Sequence, residues 1–147
     1  MLLISDANIL IDFECCGLLA ELFQLDHDIA VPDLLYEQEL REQHPDLPKH
    51  GLQVLEMNGA LIARAARLNL RYPAPSMNDL FTLALAQDRH CPLLSGDKQL
   101  RIAAEQEGVK VHGTLWLAEL MLERGCTSPA KMREAFDTMK TSGRRLP

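Results

Sequence analysis

The chain has 147 residues, of which 47% are apolar and 24% charged. That is one average domain with enough apolar material for a real core, and it excludes a wholly disordered or low-complexity chain. The net charge of −6 argues against broad electrostatic capture of nucleic acid. No apolar run approaches the roughly 18 residues that a bilayer span needs. The first basic residue is Arg41, so no basic n-region of a signal peptide precedes it. A soluble, cytoplasmic protein without a membrane partner is expected.

In chain order, Leu2-Leu3-Ile4 is a short continuous apolar run and predicts a buried parallel strand. Asn8 to Phe23 carries apolar residues at helical spacing, with a break expected near Gly17. Ile29-Ala30-Val31 predicts a second strand, and Asp33 is expected to cap a helix carrying Leu34, Leu35 and Leu40. Pro45, Pro48 and Gly51 predict a polar loop, and Gln53–Met57 an edge strand.

Asn58 to about Leu70 predicts a helix closed by Tyr72-Pro73-Ala74-Pro75. Ser76-Met77-Asn78-Asp79 has the pattern of a capping box with Asp in place of Glu, opening a helix over Leu80–Arg89. Cys91–Ser95 predicts a strand, and a helix from about Lys98 to Glu107 follows Gly96-Asp97. Val109–His112 predicts a strand, Leu115–Glu123 a helix capped by Gly113-Thr114, and Ser128-Pro129 the start of a last helix to about Met139. Residues 141–147 are expected to be a loose tail. Short apolar strands alternating with helices mean an α/β fold, a mainly parallel sheet covered on both faces.

The four cysteines, Cys15, Cys16, Cys91 and Cys126, lack zinc-ligand spacing and are read as reduced thiols, mostly in the core. The five His residues show no ligand spacing either, and the seven aromatic residues form no obvious stacking platform. No GxGxxG, GxxxxGK[ST] or GxSxG occurs, which disfavours dinucleotide, P-loop and serine-hydrolase chemistry.

Charge is unevenly distributed. Residues 1–40 hold nine acids and no Lys or Arg, whereas residues 124–147 hold six bases and two acids. Ligands of open parallel sheets bind at the carboxyl ends of the strands. There the chain offers Asp6 and Asn8 after the first strand, Glu37 and Glu39 after the second, and Asp97 after the Cys91–Ser95 strand. Asp79 opens the helix that feeds this last strand. Singly, Asp79 and Asp97 read as helix caps and the glutamates as solvated acids. Together, crowded carboxylates need a cation, and oxygen-only ligands favour Mg²⁺ or Mn²⁺. Such a cluster suits phosphodiester hydrolysis. Arg64, Arg67 and Arg71 recur at i, i+3 and i+7 on one helix face, either a weak RNA phosphate grip or a solvated basic face.

The ordered set Ile4-Ser5-Asp6-Ala7-Asn8-Ile9-Leu10-Ile11, Val31-Pro32 with Glu37 and Glu39-Leu40, Asn78-Asp79-Leu80 with Leu83-Ala84-Leu85-Ala86, and Leu93-Leu94-Ser95-Gly96-Asp97-Lys98 resembles a PIN domain. Within that family it is similar to the VapC-like toxins of type II toxin–antitoxin systems. The resemblance covers roughly residues 1–125, and residues 126–147 add a helix and a basic Arg144-Arg145 tail to the same unit. It implies a PIN-like three-layer fold and an endoribonuclease dependent on Mg²⁺ or Mn²⁺. Asp6, Asp79 and Asp97 match the family's aspartates, expected as catalytic residues and metal ligands, and Asn8 and Ser95 its polar partners. Helical phase leaves Glu37 and Glu39 both open. The family's acid directly before an apolar residue favours Glu39 as the fourth catalytic acid, with Glu37 as the alternative. The resemblance further implies a homodimer and a cognate antitoxin that blocks the acidic cleft. A PIN-like module that has lost catalysis and serves only interaction is the alternative function.

Overall fold

A computed structural model describes residues 1–144; Arg145 and the rest of the expected tail, residues 146 and 147, lie outside the described residues. Leu2–Ser5 forms β1 at the centre of a five-stranded sheet. Asp28–Pro32 (β2) and Gln53–Leu55 (β3) lie on one side of it, and Leu93–Leu94 (β4) and Val111–His112 (β5) on the other. The order is β3-β2-β1-β4-β5, and every pairing is parallel. β3 is at an edge, as the sequence predicts.

Successive strand residues point to opposite faces, and the core follows that rule. Leu3, Ile29, Val31 and Leu94 join one apolar cluster, and Ile4, Ala30 and Leu93 join the other. The first cluster is covered by α1 (Ala7–Cys15), α2 (Leu19–Leu22), α8 (Thr114–Glu123) and α9 (Pro129–Thr141). Phe13, Leu117 and Met121 are fully buried there. The second is covered by α5 (Gly59–Arg71), α6 (Met77–Arg89) and α7 (Lys98–Gln106). β1, β4 and residues 29–31 of β2 are buried on both faces and read as continuous apolar runs, whereas the edge strands β3 and β5 are partly exposed. Met132 and Ala135 of α9 belong to the first cluster, so residues past 125 share the core of the rest.

The predicted break in the first helix is the turn at Gly17, whose φ of +75° suits a residue without a side chain. Other expectations need correction. Pro48 lies inside a short helix, α4 (Leu47–His50), which buries Leu47 where a polar loop was expected. Asp33 is not the cap of the helix after β2. Pro32 holds that position, and the Asp33 carboxylate accepts from Leu34 N (2.8 Å) and Met57 N (3.1 Å), tying this helix to the loop before α5. Of the four free thiols, Cys16 and Cys126 pack partly buried against the first cluster and Cys91 against the second, and only Cys15 departs from the expected core placement by being exposed. Up to Arg144 the expected loose tail is ordered, because α9 runs to Thr141 and Arg144 makes hydrogen bonds to Asp12 and Asn8. Among the described residues no helix is long and apolar enough to cross a membrane.

One segment departs from ordinary helical geometry. After a single α-turn, α3 (Asp33–Leu35), the chain widens into a π-helical turn over Tyr36–Leu40. Arg41 N bonds Tyr36 O at 2.8 Å, five residues back. Such wide turns are rare and recur at functional sites.

Candidate active site

β1 is followed in sequence by β2 on one side and is paired on its other side with β4, so chain direction across the sheet reverses between β1 and β4. A crevice outside the carboxyl ends of strands forms at such a reversal. Asp6 and Ser95 are the first residues beyond these two strands. Asp6 N donates to Leu94 O (3.0 Å), which locks the two strand ends together.

Asp6 is buried and caps α1, its Oδ1 accepting from Ile9 N at 3.0 Å. Its Oδ2 accepts from Ser95 Oγ at 2.6 Å. The same hydroxyl accepts from Asp97 N at 3.0 Å. Ser95 therefore holds the Asp6 carboxylate one hydroxyl away from the backbone of Asp97. Asp97 caps α7 through Leu100 N (2.9 Å) and stands exposed. Ser76 caps α6 by accepting from Asp79 N (3.1 Å), which puts Asp79 in the first turn of α6.

These carboxyls feel one another. Burial pushes Asp6 up to about 7; hydrogen bonds from Ser95 and Ile9 oppose the rise, and the charges of Asp79 and Asp12 add to it. Asp79 is raised by burial and by Asp97, against the hydrogen bonds of Ser76. Glu39 is raised by partial desolvation and by Asp79, against the neighbouring Asn78 amide. Asn78 Nδ2 also donates to Gln38 Oε1 (3.1 Å), joining the head of α6 to the π-turn. Glu37 turns outward instead, its Oε2 accepting from Arg41 Nη1 at 2.7 Å in an exposed ion pair. So Asp6, Asp79, Asp97 and Glu39 share one edge and one electrostatic field, and Glu37 is engaged elsewhere.

The acids do not converge into a finished ligand set. Among the described residues, no three His, Cys, Asp or Glu side chains stand close enough together to hold a metal ion. The expected triad of Asp6, Asp79 and Asp97 is therefore looser than the sequence suggests. Asp6 and Asp97 are each held by a capping bond, to Ile9 N and Leu100 N. The donor chemistry still fits a hard divalent cation. The donors are carboxylate oxygens, with no thiolate or imidazole among them, and the raised Asp6, Asp79 and Glu39 mark a concentration of negative charge that a cation relieves.

Arg64, Arg67 and Arg71 lie elsewhere. They line a cleft with Gln87, His90 and Glu107, and Arg71 Nη1 donates to Glu107 Oε2 at 2.8 Å. His90 and Glu107 precede β4 and β5, so this cleft belongs to the amino edge of the sheet, away from Asp6 and Ser95.

Two features escape the sequence reading. Arg144 pairs through Nε with Asp12 Oδ1, and its Nη2 lies 3.4 Å from Asn8 Oδ1. The signal for Asp12 is an acid one α-turn after Asn8, between the apolar Ile11 and Phe13; nothing local indicates Arg144. The second feature is His112 stacked on Trp116, ring centroids 4.0 Å apart and planes 10° from parallel. Their i, i+4 spacing across the Gly113 cap was the available signal. His112 O accepts from Ser95 N (3.0 Å), so the stack stands one strand away from the acid edge.

A family model described as "DUF3368: PIN domain" matches residues 2–147, and the chain belongs to the PIN-domain family. Members are generally nucleases, typically using a divalent metal. Among solved structures it is similar to a PilT N-terminus domain protein, SSO1118, from the hyperthermophilic archaeon Sulfolobus solfataricus P2. The two share 14% identity with a TM-score of 0.59, over 84% of this chain and 95% of that one. At that identity the likeness concerns the fold alone. No curated protein matches the chain.

Proposed function

We propose that this PIN domain is an endoribonuclease that uses Mg²⁺ or Mn²⁺ held at the carboxyl edge of β1 and β4. The observation that carries the reading is Ser95 Oγ, bonded at once to the Asp6 carboxylate and the Asp97 amide, beside two further acids in the same field. Asp6, Asp79 and Asp97 would hold the cation, with Glu39 facing it from the π-turn. When bound, the cation activates water and polarises the phosphodiester. Ser95 fixes the Asp6 carboxylate, and the Ile9 amide holds its other oxygen, so Asp6 cannot turn away.

The same proposal makes the protein the cytoplasmic toxin of a toxin–antitoxin pair, acting as a homodimer and restrained by a cognate antitoxin. Its support is the VapC-like order of motifs, and an acidic edge of the sheet to which a basic antitoxin segment would be complementary.

Incubation of the protein with single-stranded RNA tests the activity. Cleavage at internal positions is expected with Mg²⁺ or Mn²⁺, stopping in EDTA and returning with excess Mn²⁺. Glu39→Gln should lose most of it, and Glu37→Gln little, because Glu37 is tied to Arg41. Cleavage that survives EDTA would sink the mechanism. Absence of cleavage with either ion would leave an interaction module. A dead Glu37→Gln beside an active Glu39→Gln would reverse the assignment of the helix acid.

A further inference from the structure

The residues just past the last helix set a cation against α1, the helix that Asp6 caps. Gly143 has φ +78°, and Arg144 N bonds Met139 O at 2.8 Å, so the chain turns back as α9 closes. The Arg144 side chain then lies along α1, the helix that Asp6 caps. Its Nε pairs with Asp12, and its Nη2 lies 3.5 Å from Asn8 O and 3.4 Å from Asn8 Oδ1. Asn8 and Asp12 are i, i+4, hence neighbours on one face of α1.

Nε and Nη2 form one edge of the planar guanidinium fork. With that edge set against α1, the adjoining outer edge is Nη1 with the second N–H of Nη2. The Asp12 side chain is 11% exposed and Arg144 29%, so the anchor is buried while part of the fork meets solvent. That outer edge matches two oxygens of a phosphate, the pairing that guanidinium makes better than ammonium. A site built of carboxylates repels an RNA backbone, and a cation fixed at its rim offsets this locally.

We propose that Arg144 is a phosphate-binding residue of this site, anchored by Asp12 and Asn8 so that its outer edge grips an RNA phosphate next to the one being cut. The assignment rests on the ribonuclease reading above. It gives the C-terminal helix a function beyond covering the core, namely presenting a substrate ligand from the far end of the chain.

Steady-state cleavage of a labelled single-stranded RNA with Mn²⁺ is the test. Arg144→Ala should raise KM about tenfold and leave kcat within about twofold. In an Asp79→Asn background, where cutting is blocked, the same change should weaken RNA binding and flatten its salt dependence by a slope of about 0.7. Arg144→Lys keeps the charge beside Asp12 and should restore the melting temperature while recovering only part of KM. Asp12→Asn combined with Arg144→Ala removes the buried acid together with its partner, and should melt near wild type with KM still raised. Should Arg144→Ala fail to fold, these last two variants decide. A melting temperature that falls in Arg144→Ala while KM and RNA binding stay at wild-type values makes Arg144 a clamp between α9 and α1. That overturns the proposal and leaves the ribonuclease reading standing. A wild-type protein that neither binds nor cuts RNA overturns both.

Discussion

Asp6→Asn, Asp79→Asn and Asp97→Asn should each lower metal-dependent RNA cleavage by on the order of 10³-fold. The effect should be nearly pure in charge. Asn caps a helix about as well as Asp does, so Asp6→Asn can keep the Ile9 bond and Asp97→Asn the Leu100 bond. Asp79 answers the Ser76 cap of α6 by accepting from Ser76 in turn; Ser76 remains in Asp79→Asn, and an amide oxygen at position 79 can still accept from it. Circular dichroism should therefore show a folded protein in all three variants. Near wild-type cleavage in any one of them removes that residue from the site, and near wild-type cleavage in all three removes the site.

The second large effect is on stability against pH in metal-free protein. Folded Asp6 holds its proton up to about 7, against 3.8 as the ordinary value. Between those values the native state keeps a proton that the unfolded chain has lost, so stability falls as pH rises. The contribution of Asp6 is fully present below about pH 4, is lost as pH climbs through 7, and amounts to a few kcal/mol. The raised Asp79 and Glu39 act in the same direction, and the lowered Glu21 and Glu107 in the opposite one. Comparing wild type with Asp6→Asn by chemical denaturation from pH 4.5 to 8 isolates Asp6. The variant should lose less stability across the window and be the more stable protein above pH 7. Parallel curves would mean that the Asp6 carboxyl carries no such strain.

What could be read from the chain was whatever depends on short-range pattern. The strands announce themselves because Leu3 and Ile4, or Leu93 and Leu94, must be apolar on both faces. Asn58, Ser76, Asp97 and Ser128 announce helix starts because an oxygen there accepts the amide three residues on. Asp6 and Asp97 were visible because they follow strands β1 and β4 closely, and Asp79 because it stands in a capping-box pattern at the head of α6. What escaped depends on long-range placement or on unusual backbone. The π-turn at Tyr36–Leu40 leaves no pattern in its residues, so α-helical phase could not separate Glu37 from Glu39. The Arg41 pair and the field of Asp79 do separate them in space. The Arg144–Asp12 pair joins residues 132 positions apart, and no periodicity carries that. The row of Arg64, Arg67 and Arg71 was real as a helix face, but the edge of the sheet it would occupy was not encoded in its spacing.

Direct binding of Mn²⁺, followed by the loss of its free electron paramagnetic resonance signal, addresses the metal centre without relying on catalysis. Wild-type protein at pH 8, where Asp6 has shed its proton, should bind Mn²⁺ saturably, and Mg²⁺ should displace it. Binding should weaken as pH falls below 7, because protonation of Asp6 competes with the ion. Asp79→Asn should lose at least about tenfold in affinity. Saturable binding with those dependences is the expected result; a wild-type protein that leaves the Mn²⁺ signal untouched, or an Asp79→Asn variant that binds as tightly as wild type, would contradict a metal centre at this edge of the sheet.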